Sequence, residues 1–197
     1  MGCGKSSVGR RLSELLCCPF MDLDCVIEEQ AGRSIPEIFA SDGEAAFRQM
    51  ELDALRSIIQ CSTAAGRVQK QSLPSSMGPT LCGQRGSTVS APSLLPHNHM
   101  VLSLGGGAVM TPECAELVKE NTLCIYLRTS VDTLVERLTN EAAGRPLLAS
   151  DSDLRTRIET LMAKRASTYE TTAHHIIDTD DLSINGLAEA VVSVINR

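Results

Sequence analysis

Tryptophan is absent from this 197-residue chain, and its only aromatic residues are two Tyr and three Phe. With so few rings and a net charge of −6, it has neither the stacking platforms nor the basic face that a general nucleic-acid binder needs. The apolar runs stop at four or five residues, as from Leu123 to Leu127, far short of the roughly 20 that cross a bilayer. No charged-then-apolar segment opens the sequence, so no secretory signal is expected. The eight Cys form no CxxC pair and show no metal-ligand spacing. Adjacent Cys17 and Cys18 are expected as small buried hydrophobes on an apolar helix face, and the thiols as reduced.

What remains is a 43% hydrophobic, 21% charged chain, enough for one well-filled domain and too short for two. Val8, Leu12, Leu15 and Leu16 repeat at helical spacing directly after the opening residues. Further helical patterns fall at Val26–Gln30, Ile35–Ala40, Glu44–Ile59, Pro112–Lys119, Val131–Leu138, Leu154–Tyr169 and Leu187–Ile195. Short apolar or extended pieces lie at Pro19–Leu23, Val101–Leu104, Leu123–Leu127 and His175–Asp178. Strands alternating with helices predict right-handed crossovers and an α/β fold, a three-layer αβα sandwich on a parallel sheet. Ser62 to His99 breaks the pattern: seven Ser, four Pro, four Gly and no acidic residue, with no sustained period. Between such strongly patterned flanks, it is expected to be a disordered insertion in one domain spanning 1–197.

Gly2-Cys3-Gly4-Lys5-Ser6, running into an amphipathic helix, has the form of the back half of a phosphate-binding loop. Glycines let backbone N–H groups crowd around phosphate oxygens, Lys reaches the outer phosphates, and the Ser hydroxyl can hold Mg²⁺. The rival reading is N-myristoylation at Gly2 with Ser6 completing the pattern, which leaves Gly4 and Lys5 without a purpose. Asp22 and Asp24 stand two apart at a strand end, so in extended chain they face the same way. They suit metal positioning and activation of a hydroxyl, or else a solvated turn or a helix cap. Gly105-Gly106-Gly107 closes a strand and allows a ligand close to the backbone. Arg48, and Arg165 with Tyr169, would by spacing alone be surface residues. Gly144-Arg145-Pro146 lies in a polar stretch, at about 140–150, where a mobile lid is expected, and His174 and His175 are expected to be structural.

In order, GCGKSSVGRRL, PFMDLD, SIPEIFASDGEAAFRQME, SLGGGAV, GRPLL, AKRASTY and IIDTD resemble the shikimate kinases over nearly the whole chain apart from 62–99. The resemblance implies a nucleoside-monophosphate-kinase-like fold with a five-stranded parallel sheet. It also implies transfer of the ATP γ-phosphoryl to the 3-hydroxyl of shikimate in a cytoplasmic monomer that binds neither nucleic acid nor membrane. ATP and Mg²⁺ are the implied cofactors. By resemblance, Gly2, Cys3, Gly4, Lys5, Ser6 and Ser7 hold the nucleotide phosphates, and Ser6 and Asp22 serve the metal. Asp24 holds the reacting hydroxyl, while Arg48, Arg165 and Gly105–Gly107 clamp the shikimate carboxylate and hydroxyls. Arg145 is the lid arginine, and Arg137 lies toward the adenine. Met1 aligns inside the phosphate loop, so the family's leading glycine and central first strand are expected to be missing from 1–197, leaving two neighbouring strands unpaired. The other readings are a folded nucleotide-binding remnant without activity and a gluconate-type kinase.

Overall fold

The computed structural model describes residues 3–68, 99–142 and 151–196. Helix α1 (Lys5–Leu16) is followed by strand β1 (Phe20–Asp22) and by helices α2 (Leu23–Ala31), α3 (Ile35–Ser41) and α4 (Gly43–Val68). After 69–98 come β2 (Val101–Ser103), a 3-10 turn (Ala108–Met110), α5 (Pro112–Asn121), β3 (Ile125–Arg128) and α6 (Val131–Ala142). The described chain closes with α7 (Asp151–Thr172), β4 (His175–Asp178) and α8 (Ile184–Ile195).

The layers follow from side-chain period. Val8, Leu12 and Leu16 lie on one face of α1 and are buried. Leu12 and Leu16 pack with Ala188 and Val191 of α8 over Val101, Ile125 and Ile177 from three different strands. On the opposite face, Leu52 and Leu55 of α4 pack with Cys114 and Val118 of α5 over Leu102 and Leu104. Val101 and Leu102 thus point to opposite helix layers, as a strand's period of two requires. Caps fix where the short helices begin: Ser34 and Glu37 form a reciprocal capping box at α3, and the Ser183 hydroxyl accepts the Gly186 N–H at 3.2 Å at α8.

The sheet is parallel but split. β1 pairs with β2, Phe20 opposite Val101 and Asp22 opposite Ser103. β3 pairs with β4, Ile125 opposite His175 and Arg128 opposite Asp178. Among the described residues there are four strands in two pairs, and no ladder joins β2 to β3. α1 and α8 pack across both pairs from one side, over Val101 of β2, Ile125 of β3 and Ile177 of β4.

Several boundaries differ from those expected. α4 continues to Val68, so residues 62–68 are helical and the departure from regular pattern begins later than composition suggested. A helix already nucleated on a buried stripe adds Ser, Thr and Ala at little cost. Residues 69–98 of the expected insertion lie outside the described residues, as do 143–150 of the expected lid. Asp24 is not in extended chain: β1 ends at Asp22, and Asp24 sits in the first turn of α2. Cys17 is exposed rather than buried, because α1 ends there with Cys17 at φ 51°, and only Cys18 packs against the α1–α8 cluster.

Candidate functional site

Parallel strands deliver their carboxyl ends to one edge, and β1 and β2 there present Asp22 and Gly105 to the start of α1. Gly4 enters α1 at φ 74°, a left-handed conformation that disfavours other residues even though open space surrounds it. The turn aims the first N–H groups of α1 outward, with Lys5, Ser6 and Ser7 in its first turn. The Lys5 ammonium lies 3.6 Å from the Cys3 sulfur. The Ser6 hydroxyl donates to Asp22 Oδ2 at 2.7 Å, and Asp22 Oδ1 accepts the Asp24 N–H at 3.2 Å. Asp22 is therefore both the cap of α2 and the partner of Ser6; the two readings of this residue are compatible.

Around the glycine run, three elements converge. A Cβ on Gly105 would stand 2.5 Å from Asp24 Oδ1, and one on Gly107 would collide with the Arg48 guanidinium. Between them the Gly106 carbonyl accepts from Arg165 Nη1 at 3.1 Å and from the Tyr169 hydroxyl. Arg48 comes from α4 and Arg165 and Tyr169 from α7, so neither arginine is the ordinary surface residue its spacing suggested. Burial raises the Asp24 carboxyl above its usual range, Asp22 adds to this, and Lys5 opposes it. A hydroxyl-activating carboxylate benefits from this direction, since basicity rises with pKa.

Glu51 was not singled out by sequence. It is 1% exposed and accepts from Arg48 Nη1 at 2.6 Å, while Arg48 Nη2 donates to Glu44 at 2.9 Å. Burial pushes its carboxyl up, against the pull of Arg48. A signal was there: Glu51 lies four residues after Phe47 and four before Leu55, on the buried stripe of α4. A charge on a core stripe needs a partner. His174 is structural as expected, its Nδ1 accepting the Cys124 N–H at 3.1 Å. Arg137 lies on α6. Gly2 and Arg145 lie outside the described residues.

The close approaches give a separable prediction. Gly105→Ala would displace the Asp24 carboxylate and Gly107→Ala the Arg48 guanidinium, each by the order of an ångström, a misplacement that costs about 100-fold in rate or binding. Steady-state kinetics should show the first mainly in kcat and the second mainly in the acceptor KM. The same split for both variants would mean that the two glycines do not seat different groups.

A phosphate-binding helix start on one side of a glycine strip, and guanidinium forks for a second anion on the other, define a class: phosphate-loop transferases with a small anionic acceptor. Comparison with known proteins narrows the class. The family model described as Shikimate kinase matches residues 1–74 and 90–196. The Shikimate kinase of Zymomonas mobilis is 38% identical over 176 residues, covering 89% of this chain and 78% of its own. That of Salinibacter ruber is 36% identical over 187 residues, covering 91% and 74%. The solved structure of the Acinetobacter baumannii shikimate kinase in complex with shikimate superposes with a TM-score of 0.72 at 28% identity, over all of this chain and 88% of that one. The chain belongs to the shikimate kinase family, with its three-layer αβα fold. The matched ranges leave out 75–89, a narrower interruption than 62–99.

Proposed function

We propose that this protein transfers the γ-phosphoryl group of ATP to the 3-hydroxyl of shikimate, giving ADP and shikimate 3-phosphate. The observation that carries the reading is the glycine strip: Asp24 against Gly105, Arg165 on Gly106 and Arg48 against Gly107, with Lys5 in electrostatic reach of Asp24. An acceptor lying on the strip meets a carboxylate for its hydroxyl and two guanidinium groups for its own carboxylate. Arginine supplies the planar fork that such recognition needs.

The residues divide the chemistry. The α1 N-terminus, from Cys3 and Gly4 to Ser7, and the Lys5 ammonium hold the β- and γ-phosphates. Asp24 accepts the proton of the 3-hydroxyl as that oxygen bonds to the γ-phosphorus and the bond to the ADP oxygen breaks. Arg48 and Arg165 keep the acceptor in line. Ser6 and Asp22 offer hard oxygen donors in direct contact, a set that fits Mg²⁺, which takes few protein ligands and completes its shell with phosphates and water. When bound, the ion neutralises charge on the phosphates. Arg145 is assigned to the transferring phosphoryl on the family resemblance. The same reading makes the protein a cytoplasmic monomer serving the biosynthesis of chorismate and the aromatic amino acids. None of the helices among the described residues is long and apolar enough to cross a membrane.

A coupled ADP-release assay with ATP, Mg²⁺ and shikimate tests the proposal. ADP release should depend on shikimate. Release driven by gluconate or a nucleotide but not by shikimate would overturn it, as would ATP binding in a thermal-shift titration without any turnover.

A further inference from the structure

The Gly106 carbonyl is where α7 meets the glycine strip. It accepts from Arg165 Nη1 at 3.1 Å and from the Tyr169 hydroxyl, so two donors about one helical turn apart fill its two lone pairs. The two side chains are anchored differently. The Tyr169 ring has its centroid 5.1 Å from that of Tyr126 on β3 and packs against the cluster of Leu52, Leu55, Cys114 and Val118. The last turn of α7 is itself tied to α5, where Lys119 Nζ donates to the Thr171 carbonyl at 2.8 Å. Arg165 reaches the same oxygen on a long, flexible stem and spends one of its five N–H donors on it.

Holding that carbonyl fixes more than one atom. The Gly106–Gly107 peptide is planar and trans, so its C=O and N–H point in opposite directions. With the carbonyl held against α7, the Gly107 N–H is directed away from α7, and among the described residues nothing accepts it. The Arg48 guanidinium stands beside the same glycine. A peptide flanked by glycine on both sides turns over more easily than any other, because neither residue has a Cβ to restrict φ and ψ. An arginine that turns its fork toward an anion gives up its hold on the carbonyl. A packed tyrosine does not.

We propose that Tyr169 is a positioning residue: its hydroxyl locks the Gly106–Gly107 peptide with the Gly107 N–H aimed at the acceptor's anionic group. Arg165 is thereby free to turn its fork to that same group. The role rests on the anionic acceptor assigned above and adds the residue that keeps the strip in its binding orientation. Tyr169 acts through Gly106 rather than on the acceptor itself.

Tyr169→Phe removes one hydroxyl and keeps the ring. Residues 105–107 are the only adjacent glycines in the sequence. In protein labelled with carbonyl-¹³C and amide-¹⁵N glycine, one-bond ¹³C–¹⁵N coupling therefore marks just the Gly106 and Gly107 amides. In the full chain without ligand, the Gly107 amide signal should shift or broaden in Tyr169→Phe, since the carbonyl of its own peptide has lost a donor. Kinetics then compare shikimate with the acceptor in which a hydroxymethyl group replaces the carboxylate. The variant should lose about 3- to 10-fold in kcat/KM with shikimate, mainly through KM, the worth of one hydrogen bond. With the alcohol the loss should stay below about twofold, because no anion is there to use the aimed N–H. An unmoved Gly107 signal would overturn the proposal by showing that the hydroxyl does not hold the peptide. Equal losses with both acceptors would also overturn it, since Tyr169 would then serve packing alone. A parent enzyme that does not phosphorylate shikimate would refute the assigned acceptor instead, and the signal of the free protein would still decide whether Tyr169 locks the peptide.

Discussion

Replacing Asp24 with Asn should lower kcat by about 10²- to 10⁴-fold, the usual worth of a positioned general base, with ATP affinity nearly unchanged. The carboxylate contacts the glycine strip rather than the α1 N-terminus, and its helical placement is retained because Asn keeps the shape of Asp. Stability should move the other way. Burial and the neighbouring Asp22 raise the folded-state pKa, so the folded protein binds the proton more tightly than the unfolded chain does. Stability contributed by protonated Asp24 is thus complete below the unfolded value of about 3.9 and is lost as pH rises through the raised folded value. At neutral pH the ionised carboxylate is a cost that Asn removes. The variant should melt no lower than the parent at pH 7, and its Tm should depend less on pH across the acid range. In the parent, the acid limb of kcat against pH should lie above the ordinary aspartate range. An Asn variant with near-parental kcat would remove Asp24 from the chemistry, and one with a lower Tm at pH 7 would contradict the burial argument.

β4 appears over its expected residues, and α1, α2, α3, α5 and α8 lie within a few residues of theirs, because periodic apolar spacing and caps are local signals. Asp24 shows where local reasoning stops. Two carboxylates two apart face the same way only if the strand continues, and the Asp22 side chain ends it by capping α2. The arginines show a second limit. On their own helices, Arg48 and Arg165 look like solvated charges, and only the parallel β1–β2 pairing sets the glycine strip between them. Here the ordered motifs carried information that spacing did not. Glu51 was legible in principle, as a charge on a core stripe, since pairing with Arg48 is the condition for its burial.

That pairing makes Arg48 the residue whose removal should have two distinct effects. Arg48→Ala should weaken shikimate binding by about 2–4 kcal/mol, since truncating a partner of a desolvated charge pair costs about that much; the shikimate KM should rise by roughly 30- to 1,000-fold. It should also strand Glu51, whose side chain is 2% exposed against 23% for Arg48. Breaking a fully buried pair costs about 3–5 kcal/mol. The solvent reaching Arg48 reduces this to about 2–3 kcal/mol, or a fall in Tm of about 4–12 °C for a chain of this length. The two losses can be separated. In Arg48→Ala with Glu51→Leu, no buried charge is stranded, so Tm should largely return while the shikimate KM stays high. In Glu51→Gln, Arg48 keeps its charge and a hydrogen-bond acceptor but loses its ionic anchor, so KM should rise by less than in Arg48→Ala. Arg48→Lys should retain stability better than binding, because an ammonium can pair Glu51 yet cannot offer a carboxylate two parallel N–H donors. Restoration of KM in the double variant would show that Arg48 acts only through the packing of α4 and does not touch the acceptor.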